Sequence, residues 1–220
     1  MKRSLPYLIV LTVALFTTGA GVALYQKNKA PALQASVDSD GQGAGAAHVR
    51  GAANAPVTIE EFGDYQCPPC GKLSEPLNQV ERDFAGKVRI IFRQFPLEVH
   101  PHAALAAYAA EAAGLQKRFW EMHDLLYQEQ EAWSKAAAPE GMFVGYAKTL
   151  GLDAAKFRQD MQSKEVKERV ATDQKRAAKV GVSVTPTVFV NGRSLNGPAL
   201  GRDGIHKAVT EALAEIPAQP

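Results

Sequence analysis

Residues 57–84 read "VTIEEFGDYQCPPCGKLSEPLNQVERDF", and their periodicity changes halfway along. The first six residues, Val57 to Phe62, are rich in β-formers and apolar groups, which predicts a strand. From Cys67 onward, Leu73, Leu77, Val80 and Phe84 recur at spacings of four, three and four. That is one face of an amphipathic helix. Pro68 and Pro69 belong in its first turn, where a missing N–H costs nothing. Pro76, inside the pattern, predicts a kink. Both cysteines of the 220-residue chain, Cys67 and Cys70, fall at the junction between strand and helix.

Working outward, "KVRIIFRQFPL" (87–97) reads as a second strand between Gly86 and Pro96. Strand, crossover helix and strand imply a parallel pair in a right-handed unit. Helical patterns then follow over 102–116, 118–130, 139–152 and 164–182, with Asp153 as an N-cap. The chain returns to β at "TPTVFVNGRSLNGP" (185–198), where Asn191-Gly192 signals a tight hairpin. A last helix over about 202–215 closes an α/β order of β-α-β, helical block, β-hairpin and α.

Before this body, Lys2-Arg3 precedes "LPYLIVLTVALFTTGAGVALY" (5–25), which carries no charge. A basic start before an apolar core is an export signal. It is read as a cleavable signal peptide or an uncleaved membrane anchor over 1–25, long enough for a bilayer of roughly 30 Å. The apolar run continues past the small-residue cleavage sites, which favours the anchor and membrane contact through this helix. Residues 26–53 are Ala, Gly, Ser and Gln with few large apolar groups, and read as a flexible tether. Residues 54–220 then form one domain, with the helical insertion at about 100–180, placed outside the cytoplasm. Of 25 Lys and Arg, four fall in 1–30 with no acid, so the remainder is acidic by two against 23 Asp and Glu. A near-neutral body without a basic stripe offers no footprint for nucleic acid.

Three uses of a C-x-x-C pair compete. An inert disulfide is common in exported proteins, but so small a loop gives little chain-entropy gain. A zinc site needs about four ligands. His100 and His102 have the wrong spacing, His48 lies in the tether, and His123 and His206 fall in helical patterns. Redox exchange fits the placement best. A helix N-terminus favours thiolate at Cys67, while Cys70, one turn in, is more buried and keeps its proton. Glu61, on the first strand, is a candidate buried acid able to exchange a proton with Cys70, with Glu60 as its surface alternative. Thr185-Pro186, at the start of a strand, is either a cis-proline in a tight turn or an ordinary trans-proline at an edge.

"VTIEEFGDYQCPPC", "RIIFRQFPLEVHPHAALAAYAAEAAG", "FWEMHDLLY" and "GVSVTPTVFVNG" together resemble the DsbA-like thiol-disulfide oxidoreductases of the thioredoxin superfamily, in the exported or membrane-tethered branch typified by BdbD. The resemblance implies a thioredoxin fold with a helical insertion, and makes Trp120 and Tyr127 core residues. It implies that Cys67 is the nucleophile, Cys70 its resolving partner, Glu61 the buried acid and Pro186 the cis-proline, with Thr185 offering backbone hydrogen bonds to substrate. It further implies a redox-active Cys67–Cys70 disulfide with no other cofactor or metal, and thiols of exported unfolded or partly folded proteins as substrates. The tether is too short to be a separate dimerisation domain, so a monomer is expected. Reoxidation would come from a membrane quinone-linked partner of the DsbB type, or reduction from a membrane reductant. Strong oxidants of the family carry a histidine where this chain has Pro69. Pro68 and Pro69 offer Cys67 neither an imidazolium nor N–H donors, so a weaker oxidant, or a reductase or isomerase, is expected.

Overall fold

The computed structural model describes residues 48–216. The signal or anchor expected over 1–25, and the tether as far as residue 47, lie outside the described residues. In chain order the elements begin with β1 (His48–Gly51), β2 (Val57–Gly63), α1 (Pro68–Asp83) and β3 (Val88–Gln94). A helical block follows: α2 (Ala103–Leu115), α3 (Phe119–Gln128), α4 (Gln130–Ser134), α5 (Glu140–Thr149), α6 (Ala154–Gln162) and α7 (Lys164–Lys179). Then come β4 (Thr187–Val190), β5 (Arg193–Leu195), a 3-10 turn (Gly197–Leu200) and α8 (Arg202–Ala214).

The five strands lie in the order β1-β3-β2-β4-β5. β2 and β3 are parallel, with Glu61 opposite Phe92, and the other pairs are antiparallel. The β4–β5 hairpin turns at Asn191 and Gly192, both with positive φ (45° and 79°). Asn-Gly is the pair that tolerates such a turn.

Alternation along β2 assigns the two sheet faces. Val57 and Ile59 pack with Leu73, Leu77 and Val80 of α1 and with Ile205 and Val209 of α8. Phe62 faces the other way and packs with Ala177 of α7 and Phe189 of β4. A third cluster fills the helical block around Met122, Leu126, Trp133, Phe143 and Phe157, and reaches the cysteines. Asp153 caps α6 by accepting from the N–H groups of Ala155 and Lys156, and Ser163 caps α7. α1 continues through Pro76.

Two expectations require correction. Residues 48–51, assigned to the tether, form strand β1 along β3. The composition there is poor in apolar groups because side-chain contacts do the holding. His48 stacks flat on Phe119, with ring centroids 3.4 Å apart, and bonds Glu111. Arg50 lies over Trp120 and pairs with Asp124. Glu60, expected at the surface, is 2% exposed. α7 covers its face of the sheet, and the carboxylate is held by Arg93 Nε at 2.9 Å and Arg176 Nε at 2.6 Å.

Candidate redox site

α1 begins at its two prolines, with Cys67 as the N-cap residue in extended conformation. Pro68 and Pro69 occupy the first positions, where the N–H each lacks would have had no partner within the helix. Cys67 is thereby fixed where β2 ends and α1 starts, and Cys70 is turned inward. Both thiols are unbridged, and Cys70 is fully buried.

The pair is asymmetric. Hydrogen bonding from the Cys70 thiol is the largest influence on Cys67 and lowers its pKa to about 6 from 9.0. Burial opposes this shift, and Thr185 and the Cys70 N–H add to it. Cys70 is pushed far up, first by burial, then by its bond to Cys67 and by the charge of Glu61. The Pro-Pro dipeptide supplies no donor, as the sequence indicates; the lowering comes from Cys70 and Thr185.

Glu61 lies on the same face of β2 as Val57 and Ile59, beneath α1, and is 2% exposed. Burial, then the charge of Cys67, raises its pKa from 4.5 to about 8. Its Oε1 and the Tyr127 hydroxyl are both buried without a hydrogen-bond partner. Two residues along the same strand face, a Cβ at Gly63 would clash with the Phe92 ring and stand 2.9 Å from the Tyr127 hydroxyl. Only glycine lets Tyr127 approach so closely.

The Thr185–Pro186 peptide is cis, and the Cys67 thiol donates to the Thr185 carbonyl oxygen at 3.6 Å. Val184, just before it, is 63% exposed. The site therefore brings Cys67, with Pro68 and Pro69 after it, against the Thr185–Pro186 peptide, with Cys70 buried one turn into α1 and Glu61 beneath that helix.

Sequence reading missed what holds the turn into the cysteines. Gln130 donates through Nε2 to the carbonyls of Tyr65 (2.6 Å) and Cys67 (2.9 Å). Gln66 accepts from His102 N–H at 2.7 Å and donates to the Ser134 carbonyl at 3.2 Å. Asp64 accepts from Gln66 N–H, Leu97 N–H and His100 Nδ1. The Tyr65 hydroxyl meets His123 Nδ1 at 3.0 Å. Burial, then Arg50 and His48, push His123 well below its ordinary value, so this histidine is neutral. Of these residues, only Asp64, directly after the end of β2, has a turn-forming type that could have drawn notice.

A parallel βα unit with a C-x-x-C at the helix start, followed by a helical block and a β-hairpin, defines a thioredoxin-fold protein of the DsbA-like kind. The thioredoxin family profile matches residues 44–209, and the chain belongs to that family. Among solved structures, it is similar to oxidised BdbD from Bacillus subtilis, with 25% identity and a TM-score of 0.72, covering 83% of this chain and 98% of that one. A thioredoxin-like oxidoreductase from Silicibacter pomeroyi gives 26% identity and a TM-score of 0.67, covering 83% of this chain and all of the other. A curated relative named Na(+)/H(+) antiporter NhaA 1, from Salinispora arenicola, is 42% identical over 174 residues, 79% of this chain. The chain spans about a quarter of that relative's length, 26%.

Proposed function

We propose that the protein is an extracytoplasmic thiol-disulfide oxidoreductase that oxidises thiols of exported proteins through a Cys67–Cys70 disulfide. The observation that carries the proposal is the placement of two cysteines at one helix start, Cys67 as the N-cap and Cys70 buried one turn in, with the Thr185 carbonyl against Cys67 and Val184 exposed beside it. A client thiolate attacks Cys67 Sγ, and the S–S bond breaks with its electron pair going to Cys70. Cys70 then takes a proton, with Glu61 as the nearby buried acid. A second client thiolate attacks the client sulfur of the mixed disulfide and expels Cys67 as thiolate. The client gains a disulfide and the protein holds two electrons. A membrane quinone-linked partner of the DsbB type then accepts them. No metal or organic cofactor enters these steps.

Pro68-Pro69 favours a second reading, the same chemistry run as a reductase or isomerase fed by a membrane reductant. A redox-inactive peptide-binding module is the third. Export rests on the residues of 1–25, and among the described residues no helix is long and apolar enough to cross a membrane. The protein is taken to act as a monomer. The test is Cys70→Ala, which leaves Cys67 without a resolving partner. Mixed disulfides with exported proteins, visible on non-reducing gels and lost in Cys67→Ser/Cys70→Ala, are expected. Their absence sinks the mechanism. Redox trapping in cells decides direction: mostly disulfide supports the oxidase, mostly dithiol the reductase.

A further inference from the structure

Asp64 stands three residues before Cys67, its side chain wholly buried (0% exposed). A carboxylate there opposes negative charge on Cys67 by repulsion, a smaller influence than the Cys70 and Thr185 bonds, and the turn is closed by Cys67 N–H donating to the Asp64 main-chain carbonyl at 3.1 Å. The carboxylate takes N–H groups from Gln66 (2.7 Å), Leu97 (2.9 Å) and His100 Nδ1 (2.7 Å). Of these three donors, His100 alone can carry charge. It comes from the segment after β3, 36 residues away, and its side chain is 23% exposed. His100 also lines an open groove of about 330 Å³ with Pro96, Leu97, Pro101, Tyr108 and Val170.

We propose that His100 is a positioning residue for the redox centre: by holding and compensating the buried Asp64 carboxylate, it sets how readily Cys67 carries negative charge. The proposal deepens the thiol-exchange reading and rests on it for its biological meaning. An uncompensated Asp64 would disfavour the Cys67 thiolate. Because thiolate stabilisation favours the reduced form, losing it shifts the equilibrium toward the disulfide. In a chain whose Pro-Pro dipeptide supplies no cation, the compensating charge comes from the far side of the turn.

The test uses the purified full chain, reading the Cys67 thiolate by its absorbance near 240 nm against pH, and the redox equilibrium against glutathione. His100→Phe is expected to move the Cys67 midpoint up by about one pH unit, and the glutathione equilibrium about tenfold toward the disulfide. His100→Asn, whose amide can donate where Nδ1 does, is expected to recover part of both shifts. Asp64→Asn removes the opposing charge and is expected to lower the midpoint. In that background, His100→Phe should add nothing. An unchanged midpoint in folded His100→Phe overturns the proposal, as does an equal shift with and without the Asp64 carboxylate. Should His100→Phe fail to fold, an unmoved midpoint in Asp64→Asn overturns it instead. These readouts need no client. A Cys70→Ala protein that traps nothing therefore refutes the function without touching this inference.

Discussion

At the scale of the residue, Cys67 and Cys70 differ because one caps a helix and the other lies inside it. Folded Cys67 releases its proton near pH 6, against an ordinary thiol value of 9.0. Between those values the folded reduced protein binds fewer protons than its unfolded chain. The stabilisation is therefore fully present above about pH 9 and is lost as the pH falls through about 6. The oxidised protein lacks this titration; Cys70, pushed far up, stays protonated in the folded protein across this window, and Glu61, whose pKa is raised partly by the Cys67 charge, acts in the opposite sense. Denaturant melts across pH 6 to 9 are expected to show the reduced protein gaining on the oxidised one as pH rises. A constant difference would mean that Cys67 keeps an ordinary proton affinity. The cysteine pair at a helix start and a proline entering a strand at Thr185-Pro186 are local patterns in the sequence; the choice of Glu61 over Glu60 and of a cis-proline at 186 rests on the family resemblance. Asp64–His100 and Gln130–Tyr65 form no local pattern. Their partners lie 36 and 65 residues apart, and no periodicity links them.

Elements with strong periodicity could be read directly: α1 from Leu73, Leu77 and Val80, and the hairpin from Asn191-Gly192. The side of the sheet that α7 covers could not. From β2 alone, Glu60 reads as a solvent-facing residue, because nothing local shows that Arg93 and Arg176 will meet it. Arg93 also bonds Asp173 Oδ1 at 3.0 Å, and Gln94 N–H bonds Asp173 Oδ2 at 2.9 Å. This network fastens α7 to β2 and β3. Removing Glu60 leaves two arginines, whose side chains are 11% and 10% exposed, without the carboxylate between them. Glu60→Ala is therefore expected to cost about 3–5 kcal/mol in chemical denaturation. A loss within about 0.5 kcal/mol, the range of an ordinary surface substitution, would show that the network contributes little.

For the whole molecule, the helical block and the sheet meet at the turn 64–67, where Gln66 and Gln130 tie the cysteine segment to α4 and the start of α2. The same principle of side-chain fastening explains β1, whose four residues are joined to α2 and α3 through His48–Glu111, His48–Phe119 and Arg50–Asp124. A chain beginning at residue 54 keeps every residue of the redox centre. It is expected to melt several degrees lower than one beginning at residue 44, and differential scanning calorimetry would decide. Position in the sheet adds a second consequence. β1 lies between solvent and β3, and β3 carries Val88, Ile90, Ile91 and Phe92 in a single short run. Without β1, that run becomes the open border of the sheet, with unpaired N–H and C=O groups able to recruit another chain. Four residues of modest composition thus act as a guard against self-association, and the shortened chain should scatter light on refolding at concentrations where the longer one stays clear.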